Sequence, residues 1–177
     1  VTMTNLGYGL TQVLGVLSGC NIWIVLILSA ITSLILGIGL PTTANYIVMA
    51  ALVAPVIVNL SGEAGLVVPL VAVHLFVFYF GILADDTPPV GLAAYAASAI
   101  SRADPIATGV QGFIYDLRTA ILPFMFFFNP ELLLINVGSW YYAGWVILTA
   151  LVGMLGFVAA TQGYLKIRMY WYERLLM

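Results

Sequence analysis

Residues 21–36, 44–60, 66–84 and 140–160 are almost wholly apolar, and this decides what the chain can fold into. At about 1.5 Å per residue, helices of these lengths cover most or all of a hydrocarbon layer ~30 Å thick. Strands of alternating polarity are not visible, which argues against a β-barrel. A soluble domain is roughly half apolar and about one quarter charged. Here 63% of the 177 residues are hydrophobic and 7% charged, with a mean hydropathy of +1.12. The expected class is therefore an all-α integral membrane protein, multi-pass and embedded in a lipid bilayer.

The net charge of -2 arises from 5 basic and 7 acidic side chains gathered in short clusters. This leaves no basic surface for nucleic acid, so no nucleic-acid partner is expected. Cys20 stands alone at the start of an apolar run, where a small buried side chain is the expectation. No basic leader or small-residue cleavage site opens the chain, and Val1 is not a natural start. The sequence is accordingly read as an excerpt from a longer protein.

One continuous helical membrane domain over 1–177 is expected, without a flexible linker or a short repeat. Residues 4–18 mix Gly, Thr, Gln and Asn with apolar residues and suit the end of a helix packed against protein. Residues 20–60 read as two apolar arms, IWIVLILSAITSLIL and 44–60, interrupted at GIGLPTT. After the polar turn SGEAG, 66–101 reads as one helix broken at ADDTPPVG. An interfacial or re-entrant segment is expected over 105–136, with Arg102, Asp104, Asp116 and Arg118 near its start and Asn129-Pro130-Glu131 as a helix stop and restart. A transmembrane helix over 139–161 follows. Trp140, Tyr141, Tyr142 and Trp145 lie at one end of it, and Tyr164, Tyr170, Trp171 and Tyr172 lie beyond the other, as belts at two interfaces. The tail, 162–177, carries Lys166, Arg168 and Arg174 and is expected on the cytoplasmic side.

The interruptions GIGLPTT and ADDTPPVG share a logic. Each ends one helix and supplies Thr and Pro for the start of another, with Thr42 or Thr43 capping the first new helix and Thr87 capping one whose first turn holds Pro88 and Pro89. Unpaired backbone at membrane depth is tolerable only where protein or a wet cavity satisfies it. From 44 to 60 the chain runs out ~26 Å, and from 66 to 84 it returns ~28 Å, so the two breaks reach one depth. Carbonyl ends and the hydroxyls of Thr42, Thr43 and Thr87 can then converge on a small cation, while helix N-termini face an anionic group. Asp85 and Asp86 point about 100° apart on a helix and do not share one role. One holds a cation or anchors a hydrogen-bond network and the other faces water, with the assignment open. Asn45 either contacts substrate or cation or makes an interhelical hydrogen bond. His74 is expected as a neutral, hydrogen-bonded side chain inside the bundle.

These same residues carry a family resemblance. GIGLPTTANYIVMAALVAPVIV, HLFVFYFGILADDTPPVGLAAYAASAIS, Asp104-Pro105 and ILPFMFFFNPELLL together resemble the large membrane subunit of tripartite ATP-independent periplasmic (TRAP) transporters, and most closely the fused permeases that work with TAXI-type binding proteins. The likeness covers about 20–135. It implies one half of an elevator-type secondary transporter in the bacterial inner membrane, with a helical hairpin and a broken transmembrane helix. It also implies coupling of sodium entry to uptake of an organic acid. The implied partners are a periplasmic substrate-binding protein and a small membrane subunit or fused N-terminal half. By the resemblance, Gly39, Pro41, Thr42 and Thr43, with Thr87, Pro88, Pro89 and Gly91, belong to the sodium and substrate region. The expected substrate contacts are Thr42, Thr43, Asn45, Pro88, Pro89 and Gly91. The expected sodium ligands are Gly39, Thr42, Asp85, Asp86 and Thr87. No cofactor beyond the coupling ion is expected. Asp86 is more acidic than the family pattern at that position.

Beside the importer stand two alternatives, an intramembrane hydrolase or ion-pump subunit using Asp85 or Asp86, and a structural subunit whose breaks are kinks. Against the hydrolase, no second acid on another segment reaches the same depth by sequence, and no Ser/His or zinc-ligand spacing exists.

Overall fold

In the computed structural model, residues 6–19 and 21–164 are described. Cys20, Lys166, Arg168, Tyr170, Trp171, Tyr172 and Arg174 lie outside the described residues, with the readings made of them. The chain divides into two compact units, 1–128 and 129–177.

In the first unit, α1 (Leu6–Ser18) leads into α2 (Ile22–Gly37). Asn21 opens α2 by accepting the Trp23 amide on its side chain, which satisfies one of the four amides a helix start leaves bare. The returning arm is α3 (Thr42–Leu52) and α4 (Ala54–Glu63). Pro55 removes one amide between them, yet Val53 bonds back to the Met49 carbonyl at 2.8 Å and Ile57 to Val53 at 3.0 Å. The pair therefore continues as one span, 42–63, with one bond of the ladder removed at the proline. SGEAG ends it: Gly65 adopts φ 76, the Leu66 amide reaches back to the Ser61 carbonyl and the Gly65 amide to Gly62. That left-handed stop is one that glycine makes at no steric cost.

Helix α5 (Leu70–Asp86) starts four residues later than the sequence suggests, because Pro69 takes the position that precedes a helix and 66–69 run without helical bonds. It is the axis of the unit. Val73, Phe76, Val77 and Phe80 on it meet Leu26 and Ala30 of α2, Met49, Leu52 and Val53 of the returning arm, and Phe127. The aromatic run LPFMFFF forms α8 (Ile121–Phe128) against α5. Phe124 sits edge-on to Phe76 at 5.3 Å and to Phe80 at 5.9 Å, the arrangement that aromatic quadrupoles favour.

Beyond α5, residues 87–91 link to α6 (Leu92–Ser101). Arg102 turns the chain at φ 58, and the Asp104 carboxylate accepts the Ala107 amide at 2.8 Å to start α7 (Pro105–Asp116). Proline in the first turn has no amide to waste. The first part of the segment read as interfacial or re-entrant is a capped helix packed on α6 and α5.

The second unit holds a 3₁₀ turn, Pro130–Leu133, and α9 (Trp140–Gln162). Asn129-Pro130 does stop one helix and start another turn, as expected of it. Trp140, Tyr141, Tyr142 and Trp145 stand exposed at the start of α9 and Tyr164 beyond its end. Two helical stretches, Thr42–Glu63 and Trp140–Gln162, are long and apolar enough to cross a membrane.

Candidate functional site

The two interruptions meet. The Thr42 backbone amide, first in α3, donates to the carboxylate of Asp85 in the last turn of α5. A carboxylate at a helix start lies against the positive end of the helix dipole. Asp85 thus caps a helix far from it in sequence. Its Oδ1 is buried and accepts no hydrogen bond from the described residues, leaving that oxygen as spare acceptor capacity. Gly39 adopts φ 80, and a Cβ there would lie 3.7 Å from Val90 Cγ1, so the tip of the hairpin abuts the link after α5.

This corrects the capping assignment. Neither Thr42 nor Thr43 caps α3: Pro41 occupies the capping position with no side-chain bond, and both threonines are inside the first turn. Thr42 is half-buried beside Asp85, whereas Thr43 is exposed. Nor does Thr87 cap α6. Its hydroxyl donates back to the Leu83 carbonyl at 2.8 Å, ending α5. The residue before a proline is driven to extended backbone, and Thr87 accordingly has ψ 119. Pro88 and Pro89, joined by a cis peptide, form a turn rather than a first helical turn, and α6 begins only at Leu92. Gly91 occupies its capping position without a side-chain bond. A Cβ on Gly91 would stand 3.0 Å from the Asp85 carbonyl oxygen and 3.1 Å from the Asp86 carbonyl carbon. Only glycine lets α6 start so close to the end of α5.

The aspartates diverge as their helical spacing requires. Asp85 faces α3 and Asp86 faces α7, where its carboxyl makes a hydrogen bond with that of Asp116. Helix α7 comes close at Gly109 and Gly112, and it is Gly109 where an added side chain would be tight. A Cβ on Gly112 would be 3.8 Å from Asp86 Cγ, and one on Gly109 3.3 Å from Ala94 Cβ and 3.7 Å from Pro88 Cγ. Asp116 lies outside the candidate spans. Burial first, and then the hydrogen bond and charge of Asp86, push its carboxyl up to about 6. Asp116 is the residue that sequence reading missed, and it overturns the objection that no second acid reaches the break. The small residues in GVQG are the one signal that could have placed it there. Among the described residues no three His, Cys, Asp or Glu converge to hold a metal.

Asn45 is fully buried, and its Nδ2 donates to the Gly81 carbonyl at 3.2 Å, the interhelical bond that was one of its two readings. His74 shares a hydrogen bond of 3.1 Å with the Tyr46 hydroxyl. The pair lies in an open, apolar groove of about 420 Å³ lined by Leu70, Val71, Leu75 and Phe78. Pro88 is half-buried under Gly109, and Pro89 is exposed, its carbonyl accepting the Tyr95 hydroxyl at 3.4 Å.

The family described as the tripartite ATP-independent periplasmic transporter, DctM component, matches residues 1–141. This chain belongs to the DctM family. Neither a curated protein nor a solved structure matches it. As a DctM protein it is a membrane permease component of a TRAP transporter. The family is one of transporter permeases.

Proposed function

We propose that this chain is the half of a TRAP permease that carries one helical hairpin, α2 with α3–α4, and one broken transmembrane helix, α5 with α6. In this reading it imports an organic acid delivered by a periplasmic binding protein and couples uptake to sodium, in the bacterial inner membrane and together with a small membrane subunit or a fused N-terminal half. The observation that carries the proposal is the bond from the Thr42 amide to Asp85, which puts the hairpin tip and the break at one place. Discontinuous helices meeting in this way are how secondary transporters build ion and substrate sites. Sodium is held by the spare Asp85 oxygen, by the hydroxyls of Thr42 and Thr87 and by the carbonyl of Gly39, while Asp86, turned toward Asp116 of α7, stands outside this set. The anionic cargo lies toward the first turn of α6, which Gly91 leaves without a side-chain cap and whose positive end suits an anion, with Thr42, Thr43, Pro88 and Pro89 around it. Ion binding favours the loaded state, and the hairpin and broken helix then move as a body against the remainder, an elevator step.

The test is uptake by the full-length permease in proteoliposomes with its binding protein, under an inward sodium gradient or an equal potassium gradient. Sodium-driven uptake that disappears in Thr87→Val and Asp85→Ala is the expected result. Undiminished uptake in both variants refutes the site, and equal uptake on potassium refutes the coupling ion.

A further inference from the structure

Asn45 is among the most completely enclosed polar side chains of the first unit, and the way it is enclosed is unusual. Its amide fills a notch cut by three small residues on two other helices. A Cβ on Gly37 of α2 would overlap both Asn45 Nδ2 and Ala84 Cβ, and one on Gly81 of α5 would meet Asn45 Nδ2 at 3.6 Å. The slot therefore exists because position 37 has no side chain. From it, Nδ2 donates to the Gly81 carbonyl. In a helix that carbonyl is also the partner of the amide four residues on, which here is Asp85. Thr42 and Asn45 are three apart and so share one face of α3. The first turn of α3 is consequently tied to the last turn of α5 at two heights, by Thr42 to the Asp85 carboxylate and by Asn45 to the carbonyl beneath Asp85.

We propose that Asn45 is a positioning residue: it reaches no cargo, and through Gly81 it fixes the last turn of α5, and with it Asp85, in register with the start of α3. The hairpin tip and the break then behave as one body, and the tip does not open as a separate gate. Exposure and geometry set Asn45 apart from Thr42 and Thr87. Those present hydroxyls at the junction, while Asn45 has no exposed surface. Its consequence for ion affinity rests on the sodium reading above, but its consequence for local order does not.

Two measurements on the full-length permease test this, both with Asn45→Leu, which keeps the branched shape and removes the donor. Asn45→Ser, smaller and still polar, serves should the leucine variant fold poorly. Amide hydrogen exchange in lipid nanodiscs is expected to rise roughly tenfold at residues 82–90 and 40–44, the factor that one lost hydrogen bond removes from a local opening equilibrium. Exchange in α8 and α9 should be unchanged. Uptake titrated with sodium chloride is expected to show a raised half-saturating sodium concentration, with the half-saturating cargo concentration at saturating sodium unchanged. A uniform rise in exchange along the chain would make Asn45 an ordinary packing residue and overturn the proposal. So would unchanged exchange at 82–90 together with a raised half-saturating cargo concentration, which would place Asn45 against the cargo. If wild-type uptake ignores sodium, the coupling reading fails while the exchange pattern still decides the role of Asn45.

Discussion

Gly37→Ala is a single methyl group, and the structure gives it a large effect. The added Cβ would overlap Asn45 Nδ2 and Ala84 Cβ and come within 3.0 Å of Asn45 Cγ. Ala84 belongs to α5 and has no rotamer with which to retreat, so either the α2–α5 crossing widens or Asn45 is expelled from its slot. Overpacking a tight core costs about 1–3 kcal/mol, and loss of the Asn45–Gly81 hydrogen bond adds about 1 kcal/mol. The sum is about 2–4 kcal/mol, partly offset by the better helix propensity of alanine, worth up to about 1 kcal/mol. For a chain of this size each kcal/mol moves the unfolding midpoint by about 2–4 °C. The matched control is Gly62→Ala in α4, where a Cβ would meet nothing within 4 Å and the propensity gain should appear alone. Thermal unfolding of both purified variants, followed by tryptophan fluorescence, should show Gly37→Ala lowered by several degrees and Gly62→Ala equal to or slightly above wild type. Indistinguishable midpoints would refute the notch and with it the close α2–α5 crossing.

Asp85→Asn keeps an acceptor for the Thr42 amide, whereas Asp85→Ala removes it; the alanine variant should be less stable than the asparagine variant by about 1 kcal/mol in the same unfolding assay, and a ranking reversed from this would deny the capping role. Gly91→Ala places a Cβ against backbone atoms of Asp85 and Asp86 that cannot step aside; uptake should fall while expression and oligomeric state on size exclusion stay normal. For Asp116 the carboxyl is raised from 3.8 to about 6 in the folded protein, so the favourable contribution of its neutral form is complete below 3.8 and is lost as pH rises through about 6. Asp116→Asn, neutral throughout, should therefore exceed wild type in unfolding midpoint at pH 7.5 and match it near pH 4, measured in potassium buffers; a gap that does not change with pH would contradict the carboxyl pair.

The sequence by itself determined the class of this protein. Apolar runs of near-span length with few charges leave helices in a bilayer as the one way to satisfy the backbone, and that reading needed no tertiary information. The positions of the interruptions were legible for the same reason, since Gly, Pro and paired acids inside such runs break helices wherever they fall. Even the divergence of Asp85 and Asp86 followed from the angle between adjacent helical residues. What caps each new helix was decided only by the fold. Local chemistry offered Thr42, Thr43 and Thr87, yet the carboxylate that reaches the α3 amide comes from another helix, and Thr87 turns back on its own carbonyl because the proline after it holds it extended. Asp116 lies 30 positions from Asp86 by numbering, and no pattern along the chain links them. Gly109 lets α7 settle onto the break, and that approach makes a pair of two acids that the sequence shows as unrelated. Periodicity and propensity act along a few turns of chain, whereas the partners of a buried polar group are chosen by which helices can come close, and small residues set that closeness.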